Sequence, residues 1–364
     1  VETFYLKLPN IENRTDSSQD TLLIRITTDA GIVGWGEVDG CPSAVKAIID
    51  APYSHTMVTG LKRLLIGENP LDTGRLWSLM HRSTIFYGRA GATLQAMAGI
   101  DIALWDIKGK VLGQPISTLL GGAFRNKMRV YSSNMFQFTV EATVDRAKAA
   151  IDTGHTGVKF GWEPFGRDER SDLAYVEAVR RAIGDENDFM LDVGLVWDAK
   201  TTIRRASLFE PYRLFWIEEP LHPDNYAGYG QVSQACSQYI AAGEEECSVV
   251  GFERLIDEGG VDVVQIDLTR TGFTQAVRIA DYAMSRGRKV CNHNFTTDIN
   301  TAASLHFLCA TENALVMEYC VEPNEIARKL ARNPVTIKDG YAHLPTEPGL
   351  GVELREDVCE AHPW

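Results

Sequence analysis

The 364 residues are 45% apolar and 23% charged, the make-up of a soluble globular protein, and the length allows two domains or one barrel of about 250 residues with an addition. A net charge of −13 argues against nucleic acid and against an anionic membrane surface, since both need a basic face. No apolar run approaches the ~20 residues of a membrane span, and the opening VETFYLKLPNIENR lacks the layout of a signal peptide, which points to the cytoplasm.

In chain order, TLLIRITTD (21–29) and IVGWGEV (32–38), parted by an Ala-Gly turn, read as an antiparallel hairpin. Helical stretches follow near 43–63, 71–83 and 89–112. In the last, Leu94, Met97, Ile100, Leu104 and Ile107 recur at threes and fours, and Gly113 with Pro115 ends it. Strands first and helices after make residues 1–125 an α+β domain.

A second regime then starts. MRVYSS (128–133) and TGVKFG (156–161) read as strands, followed by six apolar runs: FMLD, LFWIE, IAAGE, VVQID, KVCNH and ALVME. These end at Asp192, Glu218, Glu244, Asp267, His293 and Glu318, at steps of 26, 26, 23, 26 and 25 residues. Such a step is one strand, one helix and two short loops. SDLAYVEAVRRAIG (171–184) and FTQAVRIADYAMSRG (273–287) have the intervening helical pattern. Eight buried strands on one beat predict a parallel α/β barrel over 126–334, whose C-terminal strand ends meet at one active site. The Gly- and Pro-containing end, about 335–364, reads as an extended tail packing back on the first domain. Seven scattered cysteines without a CxxC pair exclude zinc ribbons and dithiol motifs; Cys291, Cys309 and Cys320 read as small buried hydrophobes in a reducing cytosol.

Asp192, Glu218 and Glu244 end three consecutive strands. Crowded carboxylates repel and raise one another's pKa, and a hard divalent cation such as Mg²⁺ relieves that repulsion through oxygen ligands. Strand alternation puts Glu218 on the face of Trp216 with Glu219 turned away, and separates Glu244 from Glu245. Any one acid alone reads as a solvated strand end; three on one beat do not. Asp267 and His293 end adjacent strands, where a carboxylate would orient an imidazole as a general base. Glu318 is a candidate proton donor or substrate contact, with a plain salt bridge nearly as good a reading. Lys159, across the barrel from His293, is either a base of lowered pKa or a fixed cation for a substrate carboxylate.

These residues together resemble the enolase superfamily, and within it the mandelate racemase-like group. The helix AMAGIDIALWDIKGKVLGQPISTLLGG (96–122) looks like that family's N-terminal signature; LDVG, WIEEP, AAGEEE, QIDLTR, NHNF and MEYC match its strand ends in order. The resemblance implies an α+β capping domain on a modified (β/α)7β TIM barrel. It implies Mg²⁺ held by Asp192, Glu218 and Glu244, a carboxylate substrate losing its α-proton to give a metal-stabilised enediolate, the Asp267–His293 dyad, and Glu318 as electrophilic acid. Relatives are commonly dimers or octamers, which implies a homo-oligomer. The polar loop ENRTDSSQD (12–20) is similar to the family's specificity loop, making Arg14 a candidate substrate contact, with Tyr87 and Arg89 of FYGRAG beside it. For these three, ordinary surface roles weigh more.

Two departures stand out. Racemases of the group carry Lys-x-Lys on the second strand, whereas this chain has Lys159-Phe160-Gly161. Gly194 stands where many relatives have Asn. One good base favours a one-base elimination: an acid-sugar dehydratase giving a 2-keto-3-deoxy acid, with Lys159 pairing the carboxylate. The alternatives are a cycloisomerase or lactone-opening enzyme, an epimerase, a non-catalytic sugar-acid binder, and a Schiff-base aldolase using Lys159.

Overall fold

The computed structural model describes residues 1–323, 326, 329–355 and 357. Cys359 and the end of the expected tail lie outside the described residues.

The N-terminal part is a three-stranded antiparallel sheet, β1 (Glu2–Lys7), β2 (Asp20–Thr27) and β3 (Val33–Val38), followed by helices. β2 and β3 form the expected hairpin; β1 lies on its far edge. The single helix expected near 43–63 is two, α1 (Pro42–Asp50) and α2 (Leu61–Leu65). Pro52 bars the helical conformation at Ala51 and so ends α1. α3 spans Thr73–Thr84, and α4 spans Ala92–Leu112 before a left-handed Gly113 cap. A short α5 (Ile116–Leu119) leads out.

Eight parallel strands follow: β4 (Lys127–Met135), β5 (Gly157–Gly161), β6 (Asp188–Asp192), β7 (Trp216–Glu218), β8 (Tyr239–Ala242), β9 (Val263–Ile266), β10 (Lys289–Asn292) and β11 (Ala314–Cys320). They pair in sequence order, and β11 pairs with β4, closing the barrel. Between them run α6 (Val140–Asp152), α7 (Glu169–Ile183), α8 (Ala199–Phe209), α9 (Tyr226–Ala235), α10 (Val249–Asp257), α11 (Leu268–Ser285) and α12 (Asp298–Cys309). Seven helices between eight strands is the modified (β/α)7β barrel with an N-terminal cap. Inside it, Tyr131, Met190, Trp216, Val263, Cys291 and Val316 form a buried apolar layer under the polar mouth.

After β11 the chain forms a small hairpin, β12 (Ile337–Lys338) and β13 (Tyr341–His343), and β13 adds antiparallel to the start of β4. Beyond it the chain meets the cap. Leu350 N–H donates to Asp106 Oδ1 at 2.9 Å, and Asp106 Oδ2 accepts from Trp35 N–H at 3.0 Å. The cap also packs α4 along α11, where Asp101 caps Thr274 through its N–H (2.8 Å) and hydroxyl (2.6 Å). Among the described residues, no helix is long and apolar enough to cross a membrane.

His306, on α12, is fully buried. It stands between the Ser117 N–H at Nδ1 (3.3 Å) and the Leu350 carbonyl at Nε2 (3.0 Å), which suits only a neutral ring. Burial pushes its pKa down to about 4 from an ordinary 6.5. On lowering the pH the unfolded chain therefore takes up the proton first. This stabilisation is complete above about pH 6.5 and is lost as the pH falls toward 4. His306→Gln keeps one donor and one acceptor without the titration. The loss of unfolding free energy from pH 7 to about pH 5 should be smaller in this variant by roughly 2 kcal/mol, read by denaturant unfolding. An identical loss in both proteins would refute the assignment.

Candidate active site

All seven expected chemical residues of the barrel come together at its C-terminal mouth. Parallel register aligns Gly161, Asp192 and Glu218 on neighbouring strands. A pocket there is lined by Lys159, Asp192, Glu244 and His293, while Glu218, Asp267 and Glu318 lie fully buried one step behind.

The dyad is formed. His293 Nδ1 lies 2.7 Å from Asp267 Oδ2, and Nε2 stands 3.7 Å from Glu244 Oε2. Asp267 is the N-cap of α11: its Oδ1 accepts from the Thr269 N–H and hydroxyl, both at 2.7 Å, and from Asn300 Nδ2 at 3.3 Å. An ionised carboxylate only accepts, so Nδ1 carries the proton toward Asp267 and Nε2 is the ring atom on the Glu244 side. Burial disfavours the imidazolium, but Glu244, the Asp267 hydrogen bond and Glu318 hold its pKa well above the usual histidine value. Burial likewise opposes ionisation of Asp267, yet His293 and Arg270 keep it below the ordinary carboxylate range.

Lys159 is a fixed cation. Its ammonium bonds Glu218 Oε1 and lies 2.6 Å from Glu318 Oε1. Burial would lower its pKa, but these two carboxylates raise it well above the ordinary lysine value. A base of lowered pKa, one of the two expectations, is therefore not what forms. Glu318 is saturated with donors: Ser133 Oγ (2.7 Å) and Lys159 on Oε1, and Asn294 N–H (2.7 Å) on Oε2. Although buried, it is held below the usual range, chiefly by Lys159 and His293. It stands as an ionised acceptor rather than a ready proton donor.

The carboxylates expected to hold a metal crowd as the sequence predicts. Burial first, then Glu218, pushes Asp192 well above the carboxylate range; burial first, then Glu218 and Glu318 against His293 and Lys159, brings Glu244 to about 7. Glu218 shares its face with Trp216, whose Nε1 donates to Oε2 at 2.8 Å. Its other oxygen is drawn to Lys159. Among the described residues, the acids brought together are instead Glu219, Glu244 and Glu245, with one oxygen of each within 4.8 Å of the others. Simple alternation thus fails at two places. β7 ends at Glu218 and Glu219 has φ +37°, which brings it back to the mouth; β8 ends at Ala242, so Glu245 also reaches the pocket. Buried Oε2 atoms of both Glu219 and Glu244 have no hydrogen-bond partner. An all-oxygen set of mutually repelling carboxylates fits a hard divalent cation; the oxygens brought together are those of Glu219, Glu244 and Glu245, whereas both oxygens of Glu218 are taken by Lys159 and Trp216.

The capping residues fall differently. Thr15, Asp16 and Ser17 line the pocket, but Arg14 does not: its guanidinium pairs with Asp16 (2.5 Å), Glu12 (3.1 Å) and Glu322 (3.7 Å). Tyr87 donates to the Thr59 carbonyl at 2.8 Å, and exposed Arg89 lies outside the pocket wall. Sequence reading missed Arg270, which bridges Glu245 (2.9 Å) and Asp39 of the cap (3.8 Å). Asp39 lies among Asp267 and His293, each offering an atom within 4.8 Å of the others. Nothing local in the sequence marks that contact, since 231 positions separate Asp39 from Arg270. Also missed were Ser133, Met135, Trp162 and Phe295. Ser133 closes the predicted first barrel strand, and the same strand-end logic could have found it.

Residues 7–121 match the mandelate racemase/muconate lactonizing enzyme N-terminal domain, and residues 142–358 match the enolase C-terminal domain-like family. A D-galactarolactone cycloisomerase of Agrobacterium fabrum is 32% identical over 93% of this chain and 89% of its own. A D-galactonate dehydratase of Ralstonia pickettii is 34% identical over 94% and 92%. The crystal structure of a 3,6-anhydro-D-galactonate cycloisomerase from Zobellia galactanivorans superposes with a TM-score of 0.90 at 29% identity, covering 100% of this chain and 97% of that one. Members of this superfamily use a divalent metal, usually Mg²⁺. With both domains matched and the barrel mouth assembled as described, the chain belongs to the mandelate racemase-like subgroup of the enolase superfamily, a family of enzymes.

Proposed function

We propose that this chain is an Mg²⁺-dependent acid-sugar dehydratase. It takes the α-proton of a sugar-acid carboxylate and releases the β-hydroxyl, leaving a 2-keto-3-deoxy acid. The observation that carries the reading is a single oriented base. His293 is locked to Asp267 and faces a pocket rimmed by carboxylates, while Gly161 stands where the resemblance to racemases of the group would put a second, opposite-face Lys. A Cβ at Gly161 would stand 2.6 Å from Asp192 Oδ2 and 2.8 Å from its Cβ, so a side chain there displaces a presumed ligand. Racemisation needs two faces served; elimination needs one.

Asp192, Glu218 and Glu244 would hold the cation, which when bound supplies fixed positive charge against the oxyanion that develops as the α-proton leaves. The rest falls to the chain's own groups. His293 Nε2 accepts the α-proton and then donates it to the departing oxygen, so no second acid is required. Lys159 holds positive charge beside the carboxylate subsite, kept in place by Glu318, and Asp267 keeps the ring in the tautomer that leaves Nε2 free. The relatives named as galactonate and xylonate dehydratases support this reading. Those named as cycloisomerases support a second: the same proton step with a ring oxygen as the leaving group.

A panel of mono- and diacid sugars with Mg²⁺, read for 2-keto-3-deoxy products by semicarbazide absorbance, tests the proposal. A product that EDTA abolishes is expected; exchange of the α-proton with deuterium oxide, but no product, would leave epimerisation in its place. His293→Asn should cut α-proton exchange by about 10²–10⁴ while leaving fold and metal affinity intact. Activity within about tenfold of wild type would remove His293 as the base. Glu218→Gln should weaken Mg²⁺ binding in calorimetry by about tenfold or more. Unchanged affinity would overturn the ligand set.

A further inference from the structure

The pocket has a second wall that elimination chemistry does not use. Met135, Trp162 and Phe295 line it, and Met135, Phe295 and Cys320 form their own apolar cluster with Trp162 packed against it. In barrel order these residues stand at the ends of β10, β11, β4 and β5, while Asp192, Glu218 and Glu244 stand at β6, β7 and β8. The apolar side chains thus gather across the mouth from these three acids, in a wall they share with Lys159 and His293. An open-chain polyol carboxylate offers hydroxyls all along its length and gains little from such a wall. A five- or six-membered sugar ring presents a flat face of C–H groups, which packs on an aromatic surface.

Trp162 is held there at a cost. Its φ is +65°, where a bulky L residue is an outlier, and such strain gathers at functional sites. The indole lies on Gly194, itself at φ +65°; a Cβ at 194 would come 2.8 Å from Trp162 Cε3 and 2.9 Å from Cδ2. A side chain at this position and this indole cannot share the space, so Gly194 makes room for the aromatic face.

We propose that Trp162, seated by Gly194, is a specificity-determining residue that selects a cyclic sugar acid, an anhydro acid or a lactone bearing a free carboxylate. This rests on the α-proton abstraction proposed above and deepens its second reading, in which a ring oxygen is the leaving group. His293 Nε2 takes the proton from the carbon next to the carboxylate. The bond between the β-carbon and the ring oxygen then breaks, its electron pair staying on that oxygen as the carbon–carbon double bond forms. The enol so produced tautomerises to the 2-keto-3-deoxy acid. No water is lost, and the net change is an isomerisation with ring opening.

Equilibrium binding to His293→Asn, with saturating Mg²⁺, separates recognition from turnover. The probes are a five-membered aldarolactone carrying a free carboxylate and the open-chain diacid obtained by its hydrolysis, both followed by calorimetry. The lactone should bind about tenfold tighter or better; adding Trp162→Ala should remove that preference through loss of lactone affinity, while Trp162→Phe should keep most of it. Gly194→Asn should mimic Trp162→Ala by displacing the indole. Equal affinity for both probes, equal losses on both in Trp162→Ala, or no binding of the lactone would overturn the proposal. Alpha-proton exchange by the wild-type enzyme is scored separately. Its failure on every sugar acid would fell the elimination reading while the ring preference still stood or fell on binding.

Discussion

The structure turns on gathering many carboxylates inside a barrel. Asp192, Glu218, Glu219, Glu244, Asp267 and Glu318 are all buried at one mouth, and Asp39 of the cap joins them. An unpaired buried carboxylate is costly, so each available cation lies between two acids. Lys159 sits between Glu218 and Glu318, His293 between Asp267 and Glu244, Arg270 between Glu245 and Asp39. This arrangement fixes roles before any substrate enters. A lysine clasped by two carboxylates is a poor base, and an imidazole pinned at Nδ1 has one atom left for chemistry. The acids exceed the cations in number, which is the electrostatic setting a divalent ion suits.

The same constraint ties the two domains together. Glu37 on β3 is fully buried and accepts from Thr21 of the cap (2.8 Å), and from the Thr297 hydroxyl (2.8 Å) and Asn300 N–H (3.1 Å) at the start of α12. Asn300 in turn donates to Asp267, which orients His293. A continuous run of hydrogen bonds therefore leads from the cap sheet to the His293 imidazole. Asp39, two residues after Glu37, meets Arg270 beside the same dyad. Seating the cap and ordering the imidazole are parts of one network, so the cap does more than roof the pocket.

What the sequence made legible was whatever repeats. A parallel barrel gives each strand end the same address, so the 25-residue beat located Asp192, Glu218, Glu244, Asp267, His293 and Glu318 without any knowledge of distances. Legibility stopped where the period-2 strand stopped. Glu219 and Glu245 were assigned to the wrong side because alternation was carried past the ends of β7 and β8, into backbone of positive φ at Glu219 and Gly243. Pairings across domains, such as Asp39 with Arg270, leave no local pattern. Arg14, Tyr87 and Arg89, for which surface roles weighed more, lie outside the pocket wall, and Arg14 pairs with Asp16 and Glu322; adjacency of a cap loop to the mouth cannot be inferred from its polarity.

Gly161 and Gly194 read as losses in the sequence, a missing base and a missing amide. In the structure each is an accommodation. Without a side chain at 161, Asp192 keeps its place beside Glu218; without one at 194, the Trp162 indole can lie over the turn that follows Asp192. The two glycines flank one aspartate, and together they trade polar reach on one face for an apolar surface and an undisturbed acid cluster. A site built this way has no side chain at position 161 to serve the opposite face, and it presents a flat surface in the same pocket as His293. On the reading proposed above, both features favour breaking a bond β to the carboxylate over inverting the carbon α to it.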